Sequence, residues 1–445
     1  MLHILHLLKK NDMKFSHSLT MASIVSSVLL TLSSTALVFP LSAQTLTILQ
    51  EFVGSDGAQP ASGLVDGRDG RFYGTTQHGG ASGNGTIYSV TSAGEFASLY
   101  SFSGAEGALP YGALTLANDG NFYGTTIFGN STSGNFGTIY RLTPTGQFTT
   151  IYTFAGADGA NPKAPLVQGA DGSLYGTAEA GGEGDCQGST STPGCGTVFR
   201  IAPGGRNLTL YRFKGEDDGG RPIAGLVRGS DGNFYGTTLR SEGPCDCGTV
   251  YRISPHGNFT LLHTFTGGID GAFPTGELVQ APDGSLYGVT STGGASGFGT
   301  VFRLSKRGKL TTVYAFTGGF EGGNPTAGLT RGKDGYFYGS TGIGGSNNAG
   351  TIYRITPKGV LSVLYMFAFN SAAGGSTLPS RLIQDDKGDL YGATFFGDQP
   401  CSFSPAGCGT VFRLTPATVG FEVAGHSEVG GKTAREKNKV LDKFR

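Results

Sequence analysis

Hydrophobic and polar positions run through this chain in short stretches of β-branched and aromatic residues, each closed by glycine, proline, asparagine or aspartate. That pattern predicts short, half-buried β-strands joined by tight turns; a helix would space its apolar positions every three or four residues. The clearest stretch is Asp231-Gly232-Asn233-Phe234-Tyr235-Gly236-Thr237-Thr238. Its tyrosine occurs seven times, as Tyr73, Tyr123, Tyr175, Tyr235, Tyr287, Tyr338 and Tyr391, at intervals of 50, 52, 60, 52, 51 and 53 residues. A near-constant period of this size means a solenoid, a propeller or an array.

Each unit contains four strand-like runs. In the fourth unit these are strand A (225–228), B (233–238), C (248–253) and D (258–265). The turn Asp231-Gly232 joins A to B, and Pro255-His256-Gly257 joins C to D. Both connections are short enough to force antiparallel neighbours. Four antiparallel strands per repeat make a propeller blade, whereas the rival parallel β-helix needs no hairpins at these two places. The ends of the repeat count the blades. A D-type run over 45–52 has no A, B or C ahead of it, and the seventh unit ends after strand C at Gly409-Thr410-Val411-Phe412-Arg413-Leu414. The sequence therefore predicts an all-β, seven-bladed β-propeller of four antiparallel strands per blade, closed by the N-terminal strand joining the last blade.

This organisation assigns residues 44–416 to the propeller, in seven repeats. Residues 1–43 read as a signal peptide: Lys9, Lys10 and Lys14 precede an apolar run from Met21 to Phe39, and Leu41-Ser42-Ala43 offers a cleavage site. Met13 is an alternative start, and an uncleaved membrane anchor is the competing reading of the apolar run. Residues 417–445 are polar, lack the aromatic repeat and are expected to form a disordered tail. Export to the cell surface, the periplasm or the medium follows from the leader.

Composition sharpens the picture in two respects. Glycine is abundant, 78 of 445 residues, but it accompanies 30 phenylalanines and 18 tyrosines, so it marks turns between strands rather than disorder. The 32 basic and 32 acidic residues cancel, which leaves no long-range field to attract nucleic acid or an anionic membrane. The chain is expected to be a monomer that meets a membrane only through an uncleaved leader.

The six cysteines form three local pairs, Cys186 with Cys195, Cys245 with Cys247, and Cys401 with Cys408, the second of each standing directly before a Gly-Thr. Local pairs in even number suit disulfides in an oxidising compartment. No histidine accompanies them at zinc-site spacing. Cys245 and Cys247 would close a small ring, so for them free thiols stay open beside a disulfide.

The repeat consensus runs Asp-Gly, aromatic, Tyr-Gly-Thr-Thr, a Gly-Gly loop, Gly-Thr-Val-Phe-Arg-Leu, Pro-x-Gly, Leu-Tyr-x-Phe and Gly-x-Asp-Gly. It resembles the GloVer-type tandem repeat of bacterial exported proteins over roughly residues 45–416, with departures at Ser89 and Lys387. The resemblance implies an exported repeat protein carried near a cell surface and brings no catalytic residue with it. The Asp-Gly-x-aromatic-Tyr-Gly-Thr core also looks like the sensor propellers of two-component regulators, although those favour tryptophan and this chain has none.

Candidate ligand-binding residues lie in the loops. The D–A connections carry an acid before glycine, at Asp56, Glu106, Asp158, Asp218, Asp270 and Glu321, each followed four residues later by proline. The seventh unit has Gly375 in place of the acid and keeps Pro379. This ring of carboxylates could hold a cation or sugar hydroxyls, or each acid could simply bond its own turn. The variable B–C loops leave the blades on the same face and supply aromatics such as Phe128, Phe298, Phe395, Phe396 and Phe403, of which Phe128 and Phe396 are the leading candidates for stacking on sugar rings. The A–B and C–D turns lie on the opposite face, a strand length of about 17–20 Å away. There the strand C arginines Arg141, Arg200, Arg252, Arg303, Arg354 and Arg413 are expected to pair with Asp69, Asp119, Asp171, Asp231, Asp283 and Asp334.

Catalytic motifs are wanting: His78, His256, His263 and His426 are isolated, and no HExxH, GxSxG, phosphate loop or EF-hand occurs. No catalytic residue, metal site or cofactor is assigned, and calcium has no motif behind it. The leading function is a non-catalytic binding scaffold for carbohydrate or another surface macromolecule. The alternatives are an extracellular hydrolase or lyase acting on carbohydrate with acids of the D–A/B–C face, and a structural or adhesive array.

Overall fold

The computed structural model describes residues 44–129, 134–186, 192–241, 245–368, 380–397 and 401–416, with the backbone of 421–424. The leader, Gly375, Pro379, His426 and most of the C-terminal segment lie outside the described residues. Seven antiparallel sheets form the ring of a seven-bladed β-propeller. In the fourth blade the strands are Val227–Arg228, Phe234–Thr238, Thr249–Ile253 and Phe259–Thr264. Strand A is shorter than its sequence pattern suggests because the residues before it face the axis, where blades converge. A Cβ on Gly225 would stand 3.1 Å from Glu277 of the next blade and from Pro165 of the previous one.

The ring closes with the N-terminal strand. Thr45–Glu51 pairs antiparallel with Thr410–Thr415, from Thr45 opposite Thr415 to Glu51 opposite Thr410. The amide of Phe52 then donates to the carbonyl of Gly409 at 3.0 Å. Every C–D pair in the ring, this one included, carries one register shift. Such bulges add right-handed twist, which seven blades around one axis require.

Adjacent blades meet through strand B. The repeated tyrosine stacks on the aromatic residue preceding the tyrosine of the next blade: Tyr73 on Phe122 and Tyr175 on Phe234, both with ring centroids 4.1 Å apart, and Tyr287 on Phe337 at 4.3 Å. Tyr391 and Phe72 make the same contact at 4.2 Å across the closure, so the seventh interface is built like the others. Leucine takes the partner's place at Leu174, Leu286 and Leu390, which share apolar clusters with Tyr123, Tyr235 and Tyr338. Each aromatic pair contributes about 0.5–1.5 kcal/mol beyond simple burial.

Inside a blade, the glycine of Tyr-Gly-Thr has a steric cause. Gly236 lies opposite Tyr251 of strand C, and a Cβ there would come within 2.5 Å of the tyrosine hydroxyl. The rings at this strand C position, Tyr88, Tyr140, Phe199, Tyr251, Phe302, Tyr353 and Phe412, are all fully buried.

Beyond Pro416, within the segment expected to be a disordered tail, Phe421–Ala424 adds a fifth strand to the sixth blade, pairing with Val360–Met366. The outer D strand has an unpaired edge that faces away from the axis, so a further segment can add there.

Candidate functional site

The D–A and B–C connections leave the blades on one face, as isolated bridges between Ala58 and His78 and between Ala108 and Phe128 show. Two devices hold these loops. In the first, the residue before the D–A proline adopts a left-handed backbone: Gln59, Leu109, Asn161, Arg221, Phe273 and Asn324 have φ between 52° and 58°. This conformation is strained for a non-glycine residue, doubly so before proline. It is held at both ends. The amide of Arg221 donates to Cys195 of the previous blade at 2.8 Å, while its carbonyl accepts from Leu239 of its own blade at 3.1 Å. The same two bonds recur at the other five positions.

The second device is a threonine pair across strands B and C. Thr76 bonds Thr86 at 2.9 Å, and Thr126–Thr138, Thr238–Thr249, Thr290–Thr300, Thr341–Thr351 and Thr394–Thr410 repeat it at 2.7–3.0 Å. The strand C hydroxyl then donates to the main-chain carbonyl of the D–A acid, as from Thr86 to Asp56 at 3.2 Å and from Thr351 to Glu321 at 2.9 Å. The glycine after the acid packs on this pair; a Cβ on Gly57, at φ 138°, would lie 2.7 Å from Thr76 and 2.8 Å from Thr86.

The six D–A carboxylates are tied into their own turns. Asp56 accepts from the Val53 amide at 2.9 Å and from Gln50 at 2.8 Å. Glu106 accepts from the Ser103 amide and hydroxyl at 2.7 and 2.5 Å and from the Tyr100 hydroxyl at 3.0 Å. Burial alone would raise the Glu106 carboxyl, but these donors together hold it below its usual range, while burial and then Glu106 push the Tyr100 hydroxyl up to about 12. Asp158 accepts from Tyr152 and the Ala155 amide, Asp218 from Tyr211 and the Lys214 amide, Asp270 from His263 and Thr266, and Glu321 from Thr317.

Of the two aromatic candidates, Phe128 is 36 % exposed, whereas Phe396 is half-buried, edge-on to Phe395 with centroids 4.9 Å apart. Phe403 is exposed and lies over His78, whose imidazole is depressed below its ordinary pKa by burial. All three cysteine pairs are bonded, with Cα separations of 5.0 Å for Cys186–Cys195, 5.1 Å for Cys245–Cys247 and 5.8 Å for Cys401–Cys408. Three disulfides fit an oxidising extracellular or periplasmic environment. No helix among the described residues is long and apolar enough to cross a membrane, and no group of three or more potential ligand side chains among them is placed to hold a metal ion.

On the opposite face the expected ring of Arg–Asp pairs is mostly replaced. Arg200 reaches Asp171 at 2.6 Å and Arg303 reaches Asp283 at 2.8 Å, but Arg413 turns to Asp389 at 3.9 Å, Arg252 bonds Thr260, and Arg354 lies over the ring of Tyr336. The turn aspartates instead accept the strand B tyrosine hydroxyl four residues on, as in Tyr73 to Asp69 and Tyr123 to Asp119, both at 2.7 Å. In the seventh blade Asp385 takes this role at 3.0 Å, where Lys387 has displaced the usual aspartate. The tyrosine wins because strand B already carries its hydroxyl past the turn.

What sequence reasoning missed lies on the axis. A cavity of about 930 Å³ runs along the inner strands, and repeat symmetry breaks there. Glu179, at 1 % exposure, occupies the position held by Gln77, Ile127, Leu239, Ser291, Gly342 and Phe395 in the other blades. It pairs with Lys163 at 2.5 Å and with Arg221, whose Nε lies 3.1 Å from the carboxylate and whose Nη2 also bonds it. Lys163 and Tyr111 are the residues after the D–A proline in adjacent blades, so cation and ring line the cavity at equivalent positions on its loop side. Deeper, Glu277 of the fifth blade and Arg381 of the seventh, at one repeat position that is glycine in three other blades, form a 2.5 Å salt bridge. The signal in the sequence was Tyr-Gly-Thr-Ala-Glu at 175–179, where six other units keep a threonine before this position.

Comparison with curated proteins gives no match. Among solved structures, the chain is similar to a gluconolactonase from Xanthomonas campestris (13 % identity, 86 % of this chain and 94 % of that one, TM-score 0.43). It is also similar to the PQQ-bound aldose sugar dehydrogenase of Streptomyces coelicolor (15 %, 70 % and 95 %, TM-score 0.44). A candidate 6-phosphogluconolactonase from Bacteroides uniformis gives 17 % identity over 77 % and 90 % of the two chains, with a TM-score of 0.47. At these identities and scores the likeness says nothing of chemistry. The profile of the Gloeobacter/Verrucomicrobia repeat, in contrast, matches residues 33–189 and 185–399, nearly the whole propeller. The chain belongs to the Gloeobacter/Verrucomicrobia repeat family.

Proposed function

We propose that this chain is an exported, non-catalytic binding propeller that engages a carbohydrate or another surface macromolecule through the face carrying its D–A and B–C loops. One observation carries the reading. Eight large apolar side chains are exposed among the described residues, and six of them, Val53, Tyr111, Phe128, Ile269, Phe320 and Phe403, stand on that face. A six-to-two bias of exposed apolar side chains toward one face supports an interaction role for that face, whereas apolar residues spread evenly over a surface need no explanation. The loops around them are pinned by strained backbone, threonine pairs and disulfides, which lowers the entropy lost on binding. The D–A acids support the surface by holding its turns.

A glycan array probed with the full chain tests this. Specific hits are expected, and they should weaken at least tenfold in Phe128→Ala and Phe320→Ala while surviving Leu208→Ala on an outer strand. Hits that survive both face variants and vanish with Leu208→Ala would place recognition elsewhere. The broken symmetry at Glu277, an acid that keeps 18 % of its side chain exposed in the axial cavity, favours a second reading, a hydrolase or lyase, and release of products from an array hit would favour it over plain binding.

A further inference from the structure

We propose that the axial cavity binds a carboxylate-bearing sugar unit, with the carboxylate on Lys163 and the sugar ring on Tyr111. The proposal deepens the binding reading above and rests on it. The first support is charge. The chain as a whole is neutral, yet of the eight charged residues lining this cavity five are basic and three acidic. On the loop side, Lys163 and Arg221 share the single carboxylate of Glu179; further in, Glu277 is matched by Arg381, and Asp66, Arg68 and Arg228 line the remainder. An anion is the guest that completes such a lining.

The second support is geometry. Glu179 is sealed at 1 % exposure, but the Lys163 side chain keeps 28 %, so its ammonium faces the cavity while Glu179 holds it in place. Glu179 holds that ammonium by charge alone, its Oε2 making no hydrogen bond, so the three N–H donors of Lys163 are not taken by Glu179. Arg381 is 40 % exposed, and its Nε is buried without a hydrogen-bond partner. Donors of both kinds, ammonium and guanidinium, are those that carboxylates accept from.

The third support is the aromatic. Tyr111 is 39 % exposed within the cavity lining and close enough to Glu179 that its hydroxyl, raised first by burial, is raised further by that charge. A flat ring and a cation in one lining suit a sugar acid, whose apolar C–H face and carboxylate lie on one ring. A cavity of about 930 Å³ falls within the usual range of small-ligand sites, roughly 300–1,000 Å³. A neutral sugar would use the ring and leave the cation unmatched; a simple carboxylate would use the cation and leave the ring bare.

The experiment is calorimetric titration of the full, disulfide-intact chain with trigalacturonate and trimannuronate, a neutral galactan trisaccharide, and citrate. At least one acidic trisaccharide is expected to bind at least tenfold more tightly than either the neutral sugar or citrate, and more weakly as salt rises. Lys163→Gln and Tyr111→Ala should each reduce that affinity at least tenfold, with Lys163→Arg restoring much of the first loss. Because Tyr111 is partly exposed, its variant should melt at the wild-type temperature, which separates lost binding from lost folding. Equal binding of the neutral trisaccharide would overturn the carboxylate assignment and leave the binding face standing. Citrate binding as tightly as the acidic sugars would overturn the saccharide half. Failure of both acidic sugars while the glycan array gives neutral hits would overturn this inference alone, and failure of every sugar in both experiments would overturn the binding reading as well.

Discussion

At the scale of the residue, repetition separates what the fold needs from what one blade adds. The buried strand C rings alternate between tyrosine and phenylalanine, and the hydroxyls of Tyr88, Tyr140, Tyr251 and Tyr353 have no hydrogen-bond partner. Burial pushes all four far above the ordinary tyrosine pKa. Phe199, Phe302 and Phe412 fill the equivalent space without that hydroxyl. An unmatched buried hydroxyl costs about 1–3 kcal/mol, so Tyr140→Phe should leave stability unchanged or raise it by about 1 kcal/mol in chemical denaturation. A loss of that size would reveal a partner for the hydroxyl. Repetition made some residue roles legible and obscured others. The D–A acids read as turn formers or as a ligand ring, and their hydrogen bonds are those of turn formers. The strand C arginines misled, because opposite charge drew attention from the tyrosine hydroxyl lying nearer the aspartate.

At the scale of the element, the loops do the differentiating while the strands stay constant. Each disulfide lies in a B–C loop and packs on the D–A loop that opens the next blade. A Cβ on Gly215 would meet the sulfurs of Cys186 and Cys195 at 2.5 and 2.6 Å, and one on Gly267 would meet Cys247 at 2.9 Å. These bonds therefore brace the binding face between blades as well as closing their own loops. By loop entropy a ring of this length stabilises by about 2–3 kcal/mol. The double variant Cys186→Ser/Cys195→Ser should lose about that much in urea unfolding, and a change under 0.5 kcal/mol would contradict a bracing role. Strands B, C and D were legible to within a residue or two because their apolar pattern and turn residues agree. Strand A was over-read, since glycines packed against neighbouring blades look in sequence like part of the strand. The short strand Phe421–Ala424 offered no such pattern; it exists through the open edge it meets.

At the scale of the whole molecule, ring closure decides everything that follows. It brings Glu277 and Arg381, 104 residues apart, within salt-bridge distance across the axis, and it gathers Tyr111, Lys163, Glu179 and Arg221 from three blades into one cavity lining. No local sequence pattern contains that information. The blade count and the closing strand were legible, because an orphan D run at the front matches a missing D run at the back; the chemistry of the axis was not, because it arises only where the blades converge. Closure also fixes which loops share a face, and the proposed binding surface depends on it. The direct test is amide hydrogen exchange on the full chain, followed by mass spectrometry of the peptides covering Thr45–Glu51 and Thr410–Thr415. Thr45–Glu51 is expected to exchange as slowly as the outer D strands of the other blades, with Thr410–Thr415 slower, as in their C strands; exchange of Thr45–Glu51 at the rate of an unpaired segment while Thr410–Thr415 stays protected would mean that the ring is open and that the two loop sets do not form one surface.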